Sequence, residues 1–490
     1  MRFFIVAPRS SGYGEHYGFP LGLGYISASL KQAGFDVECL NTNHYRKPVK
    51  ELLQERLREG DVLCTGGLSV HYGQVHDIIN TARQLYPDIK VIIGGGLLSS
   101  EPELMFSDLR PTIGVLGEGE ETIVEVAQKL SIPSEWHIIK GIIYYGENGI
   151  VITEPRPVIR NLDDLPFPDY EGFELKEYLD WQIPSDDSLF VFDKPRAATI
   201  LLSRSCPYLC TFCYHPLGNK YRRRSMDNIF KEVEYLVSKF KVNILVFADE
   251  CFSTGEGELE EFCRRMKTYN VKWMTMLRVD GLDERKILLM KESGCYCLSY
   301  GLESASNTVL RSMKKHITIE QISEVLTLTS KLQVMIQGNF IFGDRAETEQ
   351  TFVETMGWWS KHYHYHINLN VITPYPGTAL YHYCLQKGLI TDRLKYIQSG
   401  CPPVNMMQMD DKFYSAIDLM IRRYLQKYKQ FGTVISKEPD GFDQIRQTTL
   451  YALEVQCPHC QQNSRYRNFE VQKNNQKLGC RNCNQRFDLS

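Results

Sequence analysis

Short apolar runs alternate with amphipathic runs along the first 130 residues of the chain. A short apolar run is typical of a buried strand, and apolar positions three or four residues apart are typical of a helix. Strands that alternate with helices predict a parallel, doubly wound α/β sheet of the Rossmann-like kind. The predicted strands are FFIVA (3–7), DVECL (36–40), DVLCTGG (61–67), KVIIGGG (90–96) and TIGVLGEGEET (112–122), the last passing from strand into helix.

The same rhythm returns between residues 196 and 400. Six strand-like runs with helical patterns between them predict a partial, TIM-like (β/α)6 barrel, whose functional site lies at the carboxyl ends of the strands. The runs are ATILLS (198–203), NILVFADE (243–250), KWMTMLRVD (272–280), YCLSYGLES (296–304), QVMIQGNFIFG (333–343) and INLNVITPYPGT (367–378).

The remaining segments do not follow this alternation. Residues 131–195 contain the hairpin-like run IIYYGENGIVI and a linker rich in Pro and Asp. Residues 401–452 are predicted to be helical, with MIRRYLQKYKQF as the clearest amphipathic stretch, and residues 453–490 to form a separate small module. The predicted domains are therefore 1–130, 131–195, 196–400, 401–452 and 453–490.

Composition narrows the class of protein. A chain of 490 residues with 43% hydrophobic and 23% charged residues is typical of a multidomain globular protein. A net charge of −3 gives no general attraction to nucleic acid or membrane, and we find no apolar stretch that could span a bilayer. No export signal precedes the first strand, so 15 cysteines indicate metal sites rather than disulfides, in a reducing cytoplasm.

Three of these cysteines stand close together in the run SRSCPYLCTFCYH. Cys206, Cys210 and Cys213 have the spacing C-x3-C-x2-C. Three thiolates can hold three irons of a cubane cluster and leave the fourth iron open to a substrate, whereas four thiolates suit electron transfer alone. Two alternatives are three unrelated buried thiols and a zinc site completed by His215.

Four further cysteines occur near the end of the sequence. Cys457, Cys460, Cys480 and Cys483 form two C-x2-C pairs separated by 19 residues, which is typical of a four-thiolate zinc ribbon. So small a module needs its metal to fold. His459 lies inside the first pair and is not expected to be a ligand.

Basic and aromatic residues alternate through the same module. This mixture suits either a surface for nucleic acid or an acidic partner, or a solvated ribbon whose charges are merely balanced. We expect the second, and a nucleic-acid partner is not favoured. The residues concerned are Arg465, Tyr466, Arg467, Phe469, Lys473, Lys477, Arg481 and Arg486.

The three-cysteine loop, with Phe212 before its last thiol, resembles the cluster-binding loop of the radical S-adenosylmethionine (SAM) enzymes. The resemblance extends over roughly residues 1–395, and its N-terminal part resembles the cobalamin-dependent branch of that family. The runs that carry it are FPLGLGYISASL, VLGEGEET, DDLPFPDY, RRRS, FADECFS, MLRVDGL, YGLESASNTVLRSMKK, FIFGDRAETE and ITPYPGTALY.

The resemblance implies a role for individual residues. Cys206, Cys210 and Cys213 should hold a 4Fe–4S cluster, and Tyr214 should lie near the SAM adenine. Glu303 should contact the SAM ribose or amino group. Three further residues, Asp249, Glu250 and Arg278, should line the same cavity, although Arg278 is equally well explained as a barrel salt bridge. The cobalamin loops should contain Pro20, Leu21, Gly22, Ser69, Gly94, Gly95, Gly96, Gly117, Glu118, Gly119 and Glu120.

The chain departs from the family at the lower cobalt ligand. Many cobalamin domains carry DxHxxG, but the corresponding loop SSGYGEHYGFP has His16 without that Asp or that Gly. His44 and His71 are no better placed in the sequence. We therefore expect cobalamin to bind without a histidine below the cobalt.

The function implied is that of a methyltransferase. A 5′-deoxyadenosyl radical would create a substrate carbon radical, which would take a methyl group from methylcobalamin. The same cofactors also support cyclisation, oxidation or rearrangement, and a protein whose cluster only stabilises the fold is a further alternative. A methylthiotransferase would need three cluster cysteines in the N-terminal domain, where only Cys39 and Cys64 occur.

The partners implied are a substrate and an electron donor. The substrate would be a small molecule, lipid or peptide, and the donor a protein such as flavodoxin or ferredoxin. Because the family does not usually carry the ribbon, this module is the candidate for substrate recognition.

Overall fold

The computed structural model describes residues 1–185, 188–252, 256–471 and 476–489, and the chain forms two compact units. The N-terminal unit comprises Met1–Tyr178, Phe212–Arg222 and Thr373–Pro402. The barrel unit comprises Leu179–Thr211, Arg223–Ile372 and Pro403–Ser490. Lys473, one of the basic residues of the predicted ribbon, lies outside the described residues.

In the described part of the N-terminal unit, seven strands form one sheet. They are β1 (Arg2–Ala7), β2 (Asp36–Asn41), β3 (Val62–Gly66), β4 (Lys90–Gly94), β5 (Ile113–Val115), β6 (Ile142–Gly146) and β7 (Gly149–Ile152). Their order is β2-β1-β3-β4-β5-β6-β7, and the first five run parallel, as the alternating pattern predicts. Strand β1 is buried along its whole length, as expected of a central strand covered on both faces.

The hairpin β6–β7 belongs to this sheet rather than to a linker. We expected it within a connecting segment, but β6 pairs antiparallel with β5 from Ile142 to Tyr144. Ile142 and Ile143 are fully buried in that pairing. The gain from burying these apolar side chains explains why the hairpin extends the sheet.

The barrel unit is built on six parallel strands, as the second repeat predicts. The strands are β8 (Ala197–Ile200), β11 (Ile244–Phe247), β12 (Lys272–Leu277), β13 (Cys295–Glu303), β14 (Met335–Phe342) and β15 (Asn368–Val371), with the two-residue strands β9 (Ser203–Arg204) and β10 (Arg222–Arg223) between the first two. Their order in the sheet is β8-β11-β12-β13-β14-β15, so each strand lies beside the next along the chain. This is a partial (β/α)6 barrel, open between β8 and β15 in the described residues.

Sixteen helices occur in the described residues. They are α1 (Leu21–Gln32), α2 (Val49–Arg56), α3 (Tyr72–Leu85), α4 (Gly96–Ser100), α5 (Pro102–Leu109), α6 (Glu120–Lys129), α7 (Leu175–Trp181), α8 (Met226–Phe240), α9 (Glu256–Met266), α10 (Glu284–Glu292), α11 (Asn307–Ser312), α12 (Ile319–Lys331), α13 (Glu349–Lys361), α14 (Ala379–Gln386), α15 (Arg393–Gln398) and α16 (Asp411–Lys427). In the described part of the chain, none is both long and apolar enough to cross a membrane.

Helix α8 illustrates how local sequence sets a barrel helix. Ser225 caps its first turn by accepting a hydrogen bond from the Asn228 backbone N–H. The apolar residues Ile229, Val233 and Leu236 follow at helical spacing and are fully buried. The helix ends where Lys241 adopts the left-handed conformation, with φ of 57°.

The segment after α16 is a sheet, and the prediction of helix over 401–452 is wrong beyond Lys427. The described strands are β16 (Phe431–Asp443), β17 (Thr448–Gln456), β18 (Asn463–Glu470), β19 (Lys477–Gly479) and β20 (Arg486–Leu489), in the order β18-β17-β16-β20-β19. Strand β17, TTLYALEVQ, is rich in β-branched and aromatic residues and buries Leu450, Leu453 and Val455. We call β16–β20 the C-terminal sheet; it contains the predicted ribbon and begins before residue 453.

The C-terminal sheet packs against the N-terminal ends of the barrel strands. Ala197 and Ile244 begin β8 and β11, and Met335 begins β14; all three belong to one buried cluster with residues of the C-terminal sheet. Three of its aromatic members, Tyr466, Phe469 and Phe487, are completely inaccessible to solvent and come from the C-terminal sheet.

A glycine permits the closest approach between the two parts. A Cβ atom at Gly479 would lie 2.2 Å from the ring of Phe190, which precedes β8 and belongs to the same cluster. Only glycine fits there. The C-terminal sheet and the barrel therefore share one core.

Shortening a core residue of the C-terminal sheet should destabilise the barrel unit as a whole. We expect Phe487→Ala to lower the free energy of unfolding by about 3–5 kcal/mol, because it leaves a cavity in the shared core. Phe442→Ala is the matched control, since Phe442 is half exposed in the same sheet. Urea unfolding monitored by circular dichroism measures both, and equal stabilities would contradict a shared core.

Candidate functional site

The three-cysteine loop follows strand β8, at its carboxyl end. In the barrel unit the loop is attached to the turn after α11: the Thr211 N–H donates to the Met313 carbonyl at 3.0 Å. The Cys210 Sγ lies 3.9 Å from the Lys314 carbonyl oxygen. Cys206 also belongs to the barrel unit, whereas Cys213 belongs to the Phe212–Arg222 segment of the N-terminal unit.

The surroundings of Cys206 favour a thiolate, the form that binds iron. The neighbouring Cys251 thiol donates a hydrogen bond that lowers the pKa of Cys206, and the Arg278 charge acts in the same direction. Burial opposes the shift without reversing it. The donor chemistry therefore fits an iron–sulfur cluster at this loop.

Asp249 is a buried carboxylate after strand β11. Its Oδ1 accepts hydrogen bonds from the Leu202 N–H at 3.0 Å and the Ser203 hydroxyl at 2.5 Å. Its Oδ2 is buried and has no partner among the described residues. Burial raises the pKa of Asp249 to about 6, although both hydrogen bonds act to lower it. An orphaned acceptor at the carboxyl end of a barrel strand is suited to a ligand that brings a hydroxyl or ammonium donor.

Glu303 ends strand β13 in a strained conformation. Its φ of 67° lies in the left-handed region, which is uncommon for a residue with a side chain. Its carboxylate accepts a bond of 2.8 Å from Lys315 Nζ, and both side chains are less than a tenth exposed. Such strain occurs where surrounding contacts hold a functional group in place.

Arg278 follows strand β12 and makes the barrel ion pair considered as an alternative. Its guanidinium donates to both carboxylate oxygens of Asp280, at 2.7 and 3.1 Å, and stacks 3.7 Å from the Tyr208 ring centre. Burial acts to lower the pKa of Arg278, but Asp280 outweighs it and the pKa is raised. Glu250, in contrast, is exposed.

In the N-terminal unit, backbone packing and conformation require glycines at the ends of β3 and β4. A Cβ at Gly66 would lie 2.3 Å from the Gly94 carbonyl oxygen, and Gly95 has φ of 82°. The Gly96 carbonyl accepts a hydrogen bond from the Tyr214 hydroxyl at 3.2 Å, and the Tyr214 ring lies against Gly96 and Gly377. Tyr214, predicted beside the SAM adenine, thus lies among the predicted cobalamin loops of its own unit.

The other predicted cobalamin residues lie near the same end of this sheet. Pro20 to Gly22 start helix α1, and Ser69 hydrogen-bonds Ser100 at 3.4 Å. Gly119 is the N-cap of α6, and Glu120 is its buried first residue. A Cβ at Gly22 or at Gly117 would meet no atom within 4 Å, so packing does not require a glycine at either position.

The Glu118 side chain is fully used in hydrogen bonds within the N-terminal unit. Both its oxygens accept hydrogen bonds from Arg222 Nη1, at 2.9 and 2.7 Å, and one also accepts the Ile159 N–H at 2.7 Å. This ion pair is almost completely buried. Glu118 can therefore contribute to a ligand site only through its backbone.

Each of the three histidines considered as cobalt ligands makes a hydrogen bond through at least one ring nitrogen. His16 Nδ1 hydrogen-bonds the Tyr178 hydroxyl at 2.9 Å. His44 is buried between the Tyr17 hydroxyl on Nε2 and the Glu174 carboxylate on Nδ1. His71 accepts the Leu68 N–H on Nδ1 at 3.2 Å. Only His44 has both ring nitrogens in these hydrogen bonds, which excludes it as a cobalt ligand in this arrangement. The absence of a histidine ligand below the cobalt stays a prediction.

The four cysteines of the C-terminal sheet form a metal-ligand group. Their sulfur atoms all lie within 4.8 Å of one another. The two C-x2-C turns match in detail: the His459 N–H points to the Cys457 sulfur and the Asn482 N–H to the Cys480 sulfur, each at 3.4 Å. N–H groups aimed at thiolates are typical of structural zinc sites, and four thiolates complete a closed tetrahedral shell. The site fits one zinc ion.

The turns also resemble each other after the second cysteine. Gln461 and Asn484 both adopt the left-handed conformation, with φ of 60° and 57°. His459 is turned away from a ligand role, because its Nε2 hydrogen-bonds the Arg486 carbonyl at 2.8 Å.

The basic and aromatic residues of this module do not form one exposed surface. Tyr466 and Phe469 are fully buried, and Arg486 is buried against Ser188. The other described arginines have acidic neighbours, Arg465 with Glu454, Arg467 with Asp440 and Arg481 with Asp193. The expectation of balanced charges therefore agrees with the structure better than a nucleic-acid surface does.

The position of the ribbon also argues against the role in substrate recognition that we considered for it. The ribbon packs on the N-terminal ends of the barrel strands, whereas Asp249, Arg278 and Glu303 follow or end their strands at the opposite edge. In βα barrels the N-terminal face serves stability and the C-terminal face serves chemistry.

Sequence reasoning missed three residues of the barrel. Lys315 is buried against Glu303, Cys251 is buried beside Cys206, and Asp344 is buried with an Oδ2 that has no partner among the described residues. All three lie in runs that carry the family resemblance, namely SMKK, FADEC and FIFGD. Their place in these runs was the only signal in the sequence that could have found them. No spacing rule connects these residues to the cysteines.

Comparison with known proteins agrees with both units. The family model of the radical SAM superfamily matches residues 200–358, and that of the B12 binding domain matches residues 13–127. The chain therefore contains a radical SAM domain and a B12-binding domain. Its resemblance to the cobalamin-dependent radical SAM enzymes, taken from sequence motifs, is confirmed.

Relatives of known name include methyltransferases and a cyclase. An uncharacterized methyltransferase, PH0819, of Pyrococcus horikoshii is 29% identical over 76% of this chain and 80% of its own. The anaerobic magnesium-protoporphyrin IX monomethyl ester cyclase of Cereibacter sphaeroides is 27% identical over 81% of this chain and 66% of its own.

A solved structure shares the fold. TsrM, a radical SAM methyltransferase from Kitasatospora setae solved with cobalamin and a 4Fe–4S cluster, is 18% identical with a TM-score of 0.63. The match covers 79% of this chain and 75% of TsrM. At that identity the similarity establishes the shared fold.

Neutralising Asp249 should change how stability depends on pH. Its folded pKa of about 6 is above the ordinary value of 3.8, so its contribution to stability is present below pH 4 and lost as pH rises through 6. Asn can keep the two hydrogen bonds to Oδ1 without a buried charge. We expect Asp249→Asn to be more stable than wild type at pH 7, by up to about 3 kcal/mol, and similar to it at pH 4.

Urea unfolding between pH 4 and pH 7 measures this difference. Asp227→Asn is the control, because it removes a carboxylate that is exposed on α8. A difference between Asp249→Asn and wild type that does not grow with pH would contradict the raised pKa.

Removing one ribbon thiol should release the metal. We expect Cys457→Ser to lose about one zinc per chain, because three thiolates no longer close the tetrahedral shell. Elemental analysis of zinc and iron provides the measurement. Cys384→Ser, in α14 of the N-terminal unit, is the control and should keep its zinc. Equal zinc in the two variants would show that these thiols do not form the site.

Proposed function

We propose that the protein is a cobalamin-dependent radical SAM methyltransferase that replaces a hydrogen on a substrate carbon with a methyl group. One observation carries the proposal. A three-cysteine loop at the carboxyl end of a radical SAM barrel strand occurs in a chain that also has a B12-binding domain. Methyltransferases among the relatives support it.

The cofactors divide between the units in this proposal. When bound, the cluster and SAM supply a 5′-deoxyadenosyl radical, and methylcobalamin supplies the methyl group. We assign the cluster to Cys206, Cys210 and Cys213, and cobalamin to the loops at the ends of the N-terminal sheet, from Pro20 to Gly22, at Ser69, from Gly94 to Gly96 and from Gly117 to Glu120. The side chain of Glu118 is excluded from a direct role by its bond to Arg222.

The protein's own groups bind and orient in this scheme. Asp249 offers its Oδ2, which no described residue contacts by a hydrogen bond, and Glu303 offers a carboxylate fixed by strain and by an ion pair. Both are therefore suited to the hydroxyl and amino groups of SAM. Arg278 keeps a positive charge near the cysteine loop because Asp280 holds it there. Correct placement of reacting groups is the main contribution a protein makes to cofactor chemistry.

The proposal includes partners and a setting. The substrate is a small molecule, lipid or peptide, and a reductant such as flavodoxin or ferredoxin supplies electrons. A reducing cytoplasm suits thiolate sites of both kinds. Zinc belongs to the ribbon and has no part in the methyl transfer.

A second candidate is cyclisation or another rearrangement with the same cofactors. The relative from Cereibacter sphaeroides, named a cyclase, favours it, since its 27% identity over 422 residues is close to that of PH0819. Nothing in the barrel residues named above distinguishes a methyl transfer from a ring closure, because both begin with a carbon radical.

Anaerobic turnover with methyl-labelled SAM separates the two functions. The purified protein, reconstituted with iron, sulfide and cobalamin and reduced with dithionite or flavodoxin, is given candidate substrates and analysed by mass spectrometry. We expect 5′-deoxyadenosine together with a product heavier by one labelled methyl group. Unlabelled product with 5′-deoxyadenosine would support cyclisation, and a lack of 5′-deoxyadenosine would refute radical chemistry.

Cys206→Ala is the matched variant for that experiment, since Cys206 lies in the barrel unit. It removes a cluster ligand and leaves the B12-binding domain unchanged, so it should form no 5′-deoxyadenosine and still retain a corrinoid in its visible spectrum. Wild-type protein that never retains a corrinoid would contradict the cobalamin half of the proposal.

A further inference from the structure

Lys315 lies three residues beyond helix α11, close to Glu303 and Arg278 of the barrel unit. Its ammonium group is 2.8 Å from Glu303 Oε1, and its side chain is only 8% exposed. Burial acts to lower the pKa of Lys315, but the Glu303 carboxylate and the Cys210 sulfur outweigh it, so the pKa is raised. The lysine therefore carries a buried positive charge.

The barrel strand is shaped to receive this ammonium group. A Cβ at Gly301 would lie 2.6 Å from Lys315 Nζ and 2.9 Å from Glu303 Oε1, so a larger residue would displace both charged groups. Strand β13 shifts register between Gly301 and Glu303, where Glu303 takes its positive φ. Such irregularities in strands re-aim side chains near functional sites. The irregular strand end and the buried lysine together fix the direction of the Glu303 carboxylate.

The backbone around Lys315 connects the same groups. Its carbonyl accepts a hydrogen bond from Arg278 Nη2 at 2.7 Å. The two residues before it receive the cysteine loop, through the Thr211 N–H on Met313 and the Cys210 sulfur at Lys314. Residues 313–315 thus contact the arginine, the glutamate and the cysteine loop of the barrel unit.

We propose that Lys315 is a positioning residue that holds the Glu303 carboxylate in its strained, SAM-binding direction beside the cluster loop. The inference rests on the proposed radical SAM function and deepens it by assigning a residue to it. Without the lysine, Glu303 would be a buried carboxylate lacking its ion-pair partner, which is far more costly than losing an exposed pair. The carboxylate would then turn toward water or take a proton, and in either state it binds the amino or hydroxyl groups of SAM less well.

The test compares a buried pair with an exposed one. Lys315→Met keeps the length of the side chain without its charge, and Lys331→Met does the same at the Lys331–Glu284 pair, where both side chains are more than half exposed. SAM binding to the reconstituted, reduced protein is measured by the change that SAM causes in the electron paramagnetic resonance spectrum of the cluster. We expect Lys315→Met to bind SAM about tenfold more weakly or worse and Lys331→Met to bind as wild type does.

A double variant separates positioning from stability. Glu303→Gln combined with Lys315→Met removes both charges of the pair, so its thermal midpoint should recover toward wild type. Its SAM binding should stay weak and equal that of Glu303→Gln alone, because the lysine acts through the glutamate. Lys315→Arg keeps the charge and should restore part of the binding. SAM binding that recovers with stability in the double variant would show a merely structural pair and overturn the proposal.

Failure of this inference is distinct from failure of the proposed function. If Lys315→Met binds SAM as wild type does, the positioning role is wrong although the radical function stands. If wild-type protein forms no cluster that responds to SAM, the proposed function itself is wrong. If Lys315→Met does not fold, the double variant and Lys315→Arg decide the question.

Discussion

The barrel depends on the apolar core that its strands share with the C-terminal sheet. Tyr466, Phe469 and Phe487 come from outside the βα repeat and bury the N-terminal ends of barrel strands in one apolar cluster. The close contact of Gly479 with the Phe190 ring shows how tightly the two parts fit. The ribbon, which the sequence suggested as a recognition module, is instead part of what makes the barrel a stable support.

The opposite edge of the barrel, at the carboxyl ends of its strands, buries charged groups. Most of them have partners there, Glu303 with Lys315 and Arg278 with Asp280. One oxygen of Asp249 has no hydrogen-bond partner in the part of the chain that the structure describes. Buried charges contribute little net stability, so their concentration at one edge indicates function rather than folding. The strained backbone of Glu303 also lowers the free energy of unfolding, and a stable core has to offset this loss.

Prediction from sequence succeeded where the pattern was periodic and failed where partners were distant in the chain. All eleven strands of the two βα repeats were predicted, because alternating apolar and amphipathic runs determine them locally. The four ribbon cysteines were recognised from spacing alone, and the structure brings their sulfurs together. The helix prediction for 401–452 failed from residue 431 onward, because the amphipathic pattern of α16 was extended into a segment whose Thr, Val, Ile and Tyr residues favour strand. The link between Lys315 and Glu303 depends on how two barrel elements pack, so no local pattern contains it.

The two matching turns of the ribbon have a consequence for metal exchange. Each turn supplies two thiols, so neither can hold the ion without the other, and three of the four sulfur ligands are on residues at most 5% exposed. Cys457, Cys480 and Cys483 also belong to the core shared with the barrel strands. Release of the ion requires these three buried thiols to move, so we expect the rate of zinc loss to follow local unfolding at the N-terminal ends of the barrel strands. The rate of zinc release would therefore report how often this part of the barrel unfolds locally.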